Sequence, residues 1–160
     1  MERFEVTQKL LTMGPVYEVH AQGRSETIAT IRGKVLSATP KLTMVEGKEG
    51  ADIAYLSGNF MKTKYEVAGK DRRALATLAF PMLTLKRRFA LSVGDKQYKA
   101  DGGFLGGDFR CTNDAGDAVL VIAKKLALKD SFAVQVAATI PRDVALLCAV
   151  AIDQRFFGDD

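Results

Sequence analysis

Apolar residues recur at every second position through most of this chain, and glycine-containing links interrupt the alternation at intervals. Six short segments carry the pattern most clearly: Tyr17-Glu18-Val19, Leu42-Thr43-Met44, Tyr65-Glu66-Val67, Phe89-Ala90-Leu91, Phe109-Arg110-Cys111 and Phe132-Ala133-Val134. In each, an aromatic or aliphatic side chain is followed by a polar or small residue and then by another apolar one. A period of two puts the apolar members on one face of a strand and leaves the other face wet. Successive segments begin 25, 23, 24, 20 and 23 positions apart. Two strands of about 5–8 residues with their turns consume that much chain, so the repeating unit is a hairpin.

Each segment is preceded by a partner strand: RFEVTQ at 3–8, TIATIRG at 27–33, DIAYLS at 52–57, RALATLAF at 73–80, QYKAD at 97–101 and AVLVIA at 118–123. The links between hairpins, at 22–25, 46–50, 69–72, 94–96 and 113–117, all contain glycine, which enters the left-handed conformations of tight hairpin turns without steric cost. Twelve strands over about residues 3–137 result.

One segment departs from the alternation. VALLCAVAI at 144–152 is nine apolar residues in a row, and its surroundings read as the ends of a helix over about 141–157. Pro141 suits a first turn, Asp143 complements the positive end of the helix dipole, and Gly158 can close the C-terminus. Nine helical residues rise about 13.5 Å, less than half of the roughly 30 Å of hydrocarbon in a bilayer. A stretch that is apolar all round is covered by protein instead. Twelve antiparallel strands can close into a barrel and so remove their edges. About eight strands suffice to fill their own interior, so twelve leave a lumen that a helix about 10 Å across can plug. The expected fold is mainly β: a closed twelve-stranded antiparallel barrel of six hairpins around a C-terminal buried hydrophobic helix, one domain over residues 1–160.

Composition agrees, since 48% apolar and 26% charged residues in a chain of 160 suit one domain with a substantial core. MERFEVTQKLL offers no continuous apolar run for a secretory leader, so the chain is expected to begin at Met1 and to work in the cytoplasm. Cys111 and Cys148 lack any CxxC partner and are expected as buried, reduced thiols. The lone His20 is expected on the exposed face of a strand. No GxSxG, HExxH, P-loop or GxGxxG occurs, and Asp114 and Asp117 fall in a glycine turn where solvation accounts for them. No nucleophile, base and orienting group can be assembled, and the expectation is a protein that is not an enzyme and holds no cofactor or metal.

Four stretches carry a resemblance: VTQKLLTMGPVYEV at 6–19, IRGKVLS at 31–37, KKLALKDSFAV at 124–134 and LLCAVAIDQ at 146–154. Together they resemble the LURP-one-related family over essentially the whole chain. That family is similar in fold to the tubby C-terminal domain and the phospholipid scramblases, so the resemblance implies a twelve-stranded barrel around a hydrophobic helix. It does not carry scrambling over, because neither a Pro- and Cys-rich segment nor an acidic calcium segment before the helix is found in this sequence.

The net charge is +4, and its distribution says more than its size. Up-and-down strand order puts the links inside hairpins on one rim and the links between hairpins on the other. Eleven Lys and Arg against Asp108 and Asp130 then fall at the first rim, and six against eight acids at the second. The residues singled out for anionic lipid headgroups, phosphoinositides among them, are Lys62, Lys64, Lys86, Arg87, Arg88, Lys124, Lys125 and Lys129, where each cation near a membrane surface contributes about 1 kcal/mol. The likeness to tubby domains, which bind such lipids, implies the same peripheral membrane partner. Two other readings stay open. The helix would emerge at this rim with Asp153, Asp159 and Asp160, which would neutralise part of the charge internally. Alternatively, exposed strand faces or the Phe156-Phe157 pair would serve a protein-interaction scaffold with no lipid role, although such a pair is more often a hydrophobic lid over the barrel mouth than a docking site. Nucleic acid is not expected, because the cations lack interleaved exposed aromatics.

Overall fold

The computed structural model describes residues 1–11, 14–34, 38–81, 88–102, 108–124 and 131–157. Twelve strands follow one another: β1 Glu2–Leu11, β2 Gly14–Ala21, β3 Thr27–Gly33, β4 Lys41–Glu46, β5 Asp52–Gly58, β6 Lys64–Gly69, β7 Ala74–Ala79, β8 Arg88–Val93, β9 Lys96–Gly102, β10 Asp108–Thr112, β11 Ala118–Lys124 and β12 Ser131–Val136. One helix, α1 Arg142–Phe157, comes after them. Every strand pairs antiparallel with its neighbours in sequence, and β1 pairs with β12 from Glu2↔Val136 to Thr7↔Ser131, which closes the barrel. The six expected hairpins are β1-β2, β3-β4, β5-β6, β7-β8, β9-β10 and β11-β12.

The period-two pattern becomes the barrel wall. The first and third residues of all six segments are buried, from Tyr17 and Val19 to Phe132 and Val134. Alternate residues such as Glu66, Ala90 and Arg110 are exposed. Inside, α1 meets this lining with Val144 to Ile152, each 0–1% exposed, so the apolar run is covered on every side. Burying Val144, Leu146, Leu147, Val150 and Ile152 contributes about 8–15 kcal/mol gross. Ala145, Cys148, Ala149 and Ala151 keep the remaining surface of the helix thin. In the first turn Asp143 accepts a hydrogen bond from Arg142 Nε at 3.1 Å, at the dipole's positive end.

The two rims are built differently. At the rim where α1 enters, the ladder slips by one residue between Val19 and His20, Met44 and Val45, Val67 and Ala68, and Cys111 and Thr112. All four irregularities fall at links between hairpins. Bulges bend strands and increase their twist, which lets a sheet curl shut. Each of the five links between hairpins also has one residue with positive φ: Gly23, Gly47, Arg72, Gly94 and Gly116. Gly69 was the glycine expected to serve the β6-β7 link, but the left-handed residue there is Arg72, at φ 67°. Its guanidinium lies 3.6 Å from the centre of the Tyr55 ring, a contact that offsets the steric cost.

His20 is half-buried rather than exposed, because its Nδ1 shares a 3.0 Å hydrogen bond with the Glu26 carbonyl across the β2-β3 link. Cys111 and Cys148 are free and buried, as expected. Burial pushes the Cys111 thiol up to about 12 and raises Cys148 further in the same direction.

Candidate functional site

Strand order puts the links inside hairpins, and with them the end of α1, at the rim opposite the bulges. The second residues of β4, β6, β8, β10 and β12 are Leu42, Tyr65, Phe89, Phe109 and Phe132, so the large members of the repeat form a layer just inside this rim. Aromatic rings continue across it. Phe80 meets Tyr65, Phe89 and Phe156 at centroid distances of 5.6, 5.9 and 5.6 Å, and Phe156 stacks on Phe109 at 5.0 Å. Phe156 is therefore a lid on the barrel mouth and not an exposed docking residue; the Phe157 side chain lies outside the described residues.

The last turn of α1 fixes its polar residues against different strands. Asp153, 6% exposed, accepts a 2.6 Å hydrogen bond from Lys124 Nζ at the end of β11. Gln154 Nε2 donates to the Tyr17 hydroxyl at 3.3 Å, and burial pushes that phenol up to about 12. Arg155 donates from a terminal nitrogen to the Lys62 carbonyl at 2.9 Å, and its guanidinium lies 4.8 Å from the centre of the Phe80 ring. Its Nε is buried and has no hydrogen-bond partner among the described residues.

Beside this helix end is a pocket of about 280 Å³ lined by Lys34, Ala38, Thr39, Pro40, Lys62, Tyr65, Gln154 and Arg155. Among the described residues three cations line it and no carboxylate does. One wall depends on a close approach: a Cβ on Gly58 would sit 2.8 Å from the Tyr65 ring and 3.2 Å from Pro40 Cγ, so only glycine lets both pack there. The β5-β6 turn adds Lys62 to the lining. Asn59 Oδ1 accepts from the Thr63 and Lys64 amides at 2.9 and 3.2 Å, and Asn59 Nδ2 donates to Thr63 Oγ1 at 2.9 Å. These bonds hold Lys62 in the left-handed conformation at φ 58°. Lys41 and Lys64 are exposed beside the pocket, at the starts of β4 and β6.

Of the eight cations singled out from the sequence, Lys62 lines the pocket, Lys64 flanks it, and Arg88 is exposed at the start of β8. Lys124 is turned to Asp153, so one rim cation is neutralised by the helix end in the expected way. Lys86, Arg87, Lys125 and Lys129 lie outside the described residues, as do Asp159 and Asp160. Sequence reasoning passed over Arg155, 93 positions from its Lys62 partner. It also passed over Phe60 and Met61, which are 72% and 59% exposed at the tip of the β5-β6 turn.

Among the described residues no helix is long and apolar enough to cross a membrane. No individual curated protein matches the chain at a significant level. The LURP-one-related family model, however, matches residues 2–153, which takes in every strand of the barrel and α1 as far as Asp153, and the chain belongs to that family.

Proposed function

We propose that this protein is a non-catalytic binding module that docks peripherally on anionic phospholipid headgroups, phosphoinositides among them, through the rim where α1 ends. The observation that carries the reading is the convergence of Lys34, Lys62 and Arg155 on one pocket whose lining, among the described residues, contains no carboxylate. Arg155 is pre-positioned there by the Lys62 carbonyl and the Phe80 ring, so an arriving phosphate would meet a guanidinium that is already ordered. The negative end of the helix dipole acts against an anion here, with about half a charge against three full ones.

Magnitude sets the character of the binding. Five cations on this sector, Lys34, Lys41, Lys62, Lys64 and Arg155, at about 1 kcal/mol each contribute about 5 kcal/mol. That corresponds to a dissociation constant of roughly 0.1–1 mM, weak and sensitive to salt. A protein-interaction scaffold without a lipid role is the competing reading.

Cosedimentation with vesicles decides between them. Binding to phosphoinositide-containing vesicles that falls with added salt and is lost in Lys62→Glu/Lys64→Glu, while Arg24→Glu/Lys48→Glu on the other rim leaves it intact, supports lipid docking. No binding of the wild-type chain to any anionic vesicle overturns it in favour of the scaffold.

A further inference from the structure

The β5-β6 turn presents two large apolar side chains to solvent next to the exposed Lys62 and Lys64. Phe60 and Met61 are 72% and 59% exposed, and with Met1 and Leu75 they are the large hydrophobic residues most exposed among the described residues. A side chain left this open is commonly a mark of a mobile loop, but this turn is cross-braced. Besides the three bonds made by the Asn59 side chain, the Asn59 amide donates to the Lys64 carbonyl at 2.9 Å and the Lys62 amide to the Asn59 carbonyl at 3.1 Å. Phe80 and Arg155 hold it from behind, the Phe80 amide donating to the Thr63 carbonyl at 2.8 Å and Arg155 to the Lys62 carbonyl at 2.9 Å. None of these bonds uses the side chains of Phe60 or Met61, so their exposure is built in and the backbone that carries them needs no further ordering on binding.

We infer that the β5-β6 turn is a membrane-insertion wedge: Phe60 and Met61 enter the interface of an anionic bilayer while Lys62 and Lys64 stay at headgroup level. The occupant is identified by charge and chemistry together. An aromatic ring and a flexible thioether suit the boundary between headgroups and acyl chains, and the flanking lysines and the cationic pocket match the phosphates immediately above it. The inference rests on the headgroup-docking reading and adds a depth to it, since headgroup contact alone leaves both side chains in water.

Position 60 is open to a direct test because the chain contains no tryptophan. Phe60→Trp introduces a single indole, which is followed on titration with vesicles of phosphatidylcholine containing phosphatidylinositol phosphates and with vesicles whose acyl chains are brominated. The expected result is a blue shift of its emission and quenching by bromines at shallow acyl positions. Phe60→Ser/Met61→Ser is expected to lose tenfold or more in vesicle affinity with an unchanged thermal midpoint, since neither residue packs in the core. Vesicle binding of Phe60→Trp without blue shift or quenching, together with full binding by the double serine variant, overturns insertion and leaves headgroup docking intact. Failure of the wild-type chain to bind any anionic vesicle overturns both.

Discussion

Lys124 Nζ lies 2.6 Å from Asp153 Oδ1, a short ion pair that joins the end of β11 to the final turn of the central helix. The side chains are 17% and 7% exposed, so each charge sits where water solvates it poorly. Removing one member of a buried pair costs about 3–5 kcal/mol, whereas replacing both with apolar residues of similar size is often close to neutral. Asp153→Ala and Lys124→Met are each expected to lower stability by several kcal/mol in denaturant melts. Asp153→Leu/Lys124→Met should be markedly less destabilised than the sum of the singles, and additive losses would show that the two residues act independently.

Lys62 separates the needs of the turn from those of the site. A non-glycine residue in the left-handed region costs about 1–2 kcal/mol, which glycine recovers, less about 0.4–1 kcal/mol for the freer unfolded chain. Lys62→Gly is therefore expected to leave the thermal midpoint unchanged or slightly raised, with the Arg155 bond to the carbonyl preserved. Vesicle affinity should fall about fivefold with the lost charge. A lowered midpoint with unaltered binding would make Lys62 a structural residue only.

Alkaline pH should loosen the barrel mouth. Burial raises the Tyr17 phenol from 10.0 to about 12, so the folded state favours the protonated form. The stability this contributes is fully present below pH 10 and is lost as pH rises through about 12, because the unfolded chain releases the proton first. Circular dichroism melts across that window are expected to show a steep fall for the wild-type protein and a shallower one for Tyr17→Phe. Identical profiles would place the alkaline sensitivity elsewhere.

Deleting residues 142–160 removes the apolar filling of the lumen. The gross contribution of the helix, about 8–15 kcal/mol, matches the whole net stability of an ordinary domain. The truncated chain is expected to give no cooperative thermal transition and to aggregate. A soluble truncate with a sharp melt would mean that the barrel wall is self-sufficient.

The fold was legible because its two periodicities are clean. Tyr17, Leu42, Tyr65, Phe89, Phe109 and Phe132 mark six hairpins by spacing alone, and the run from Val144 to Ile152 has no polar face that could meet water. The neutralising contact of Asp153 followed from the direction of the helix. What pairwise alternation cannot encode is where a turn peaks. Phe60 and Met61 are as apolar as core residues, and the bonds that brace the β5-β6 turn, those of the Asn59 side chain among them, put them outside the barrel. Arg155 looks like an ordinary charge at a helix end until the closed barrel brings it to the Lys62 carbonyl. Arg72 takes a conformation that glycine was expected to supply, and its reason, the Tyr55 ring, lies two strands back along the chain.

The β1-β12 seam makes assembly an all-or-nothing event. Its two strands are more than a hundred residues apart in sequence, and the helix that fills the lumen follows both. Eleven strands are therefore synthesised before the ring can close, with their apolar faces awaiting a core that has not yet been made. Chains dominated by such distant pairings fold slowly and expose sticky intermediates. This barrel is expected to close only after its last strand and its helix have been made, and to depend on chaperones during the interval.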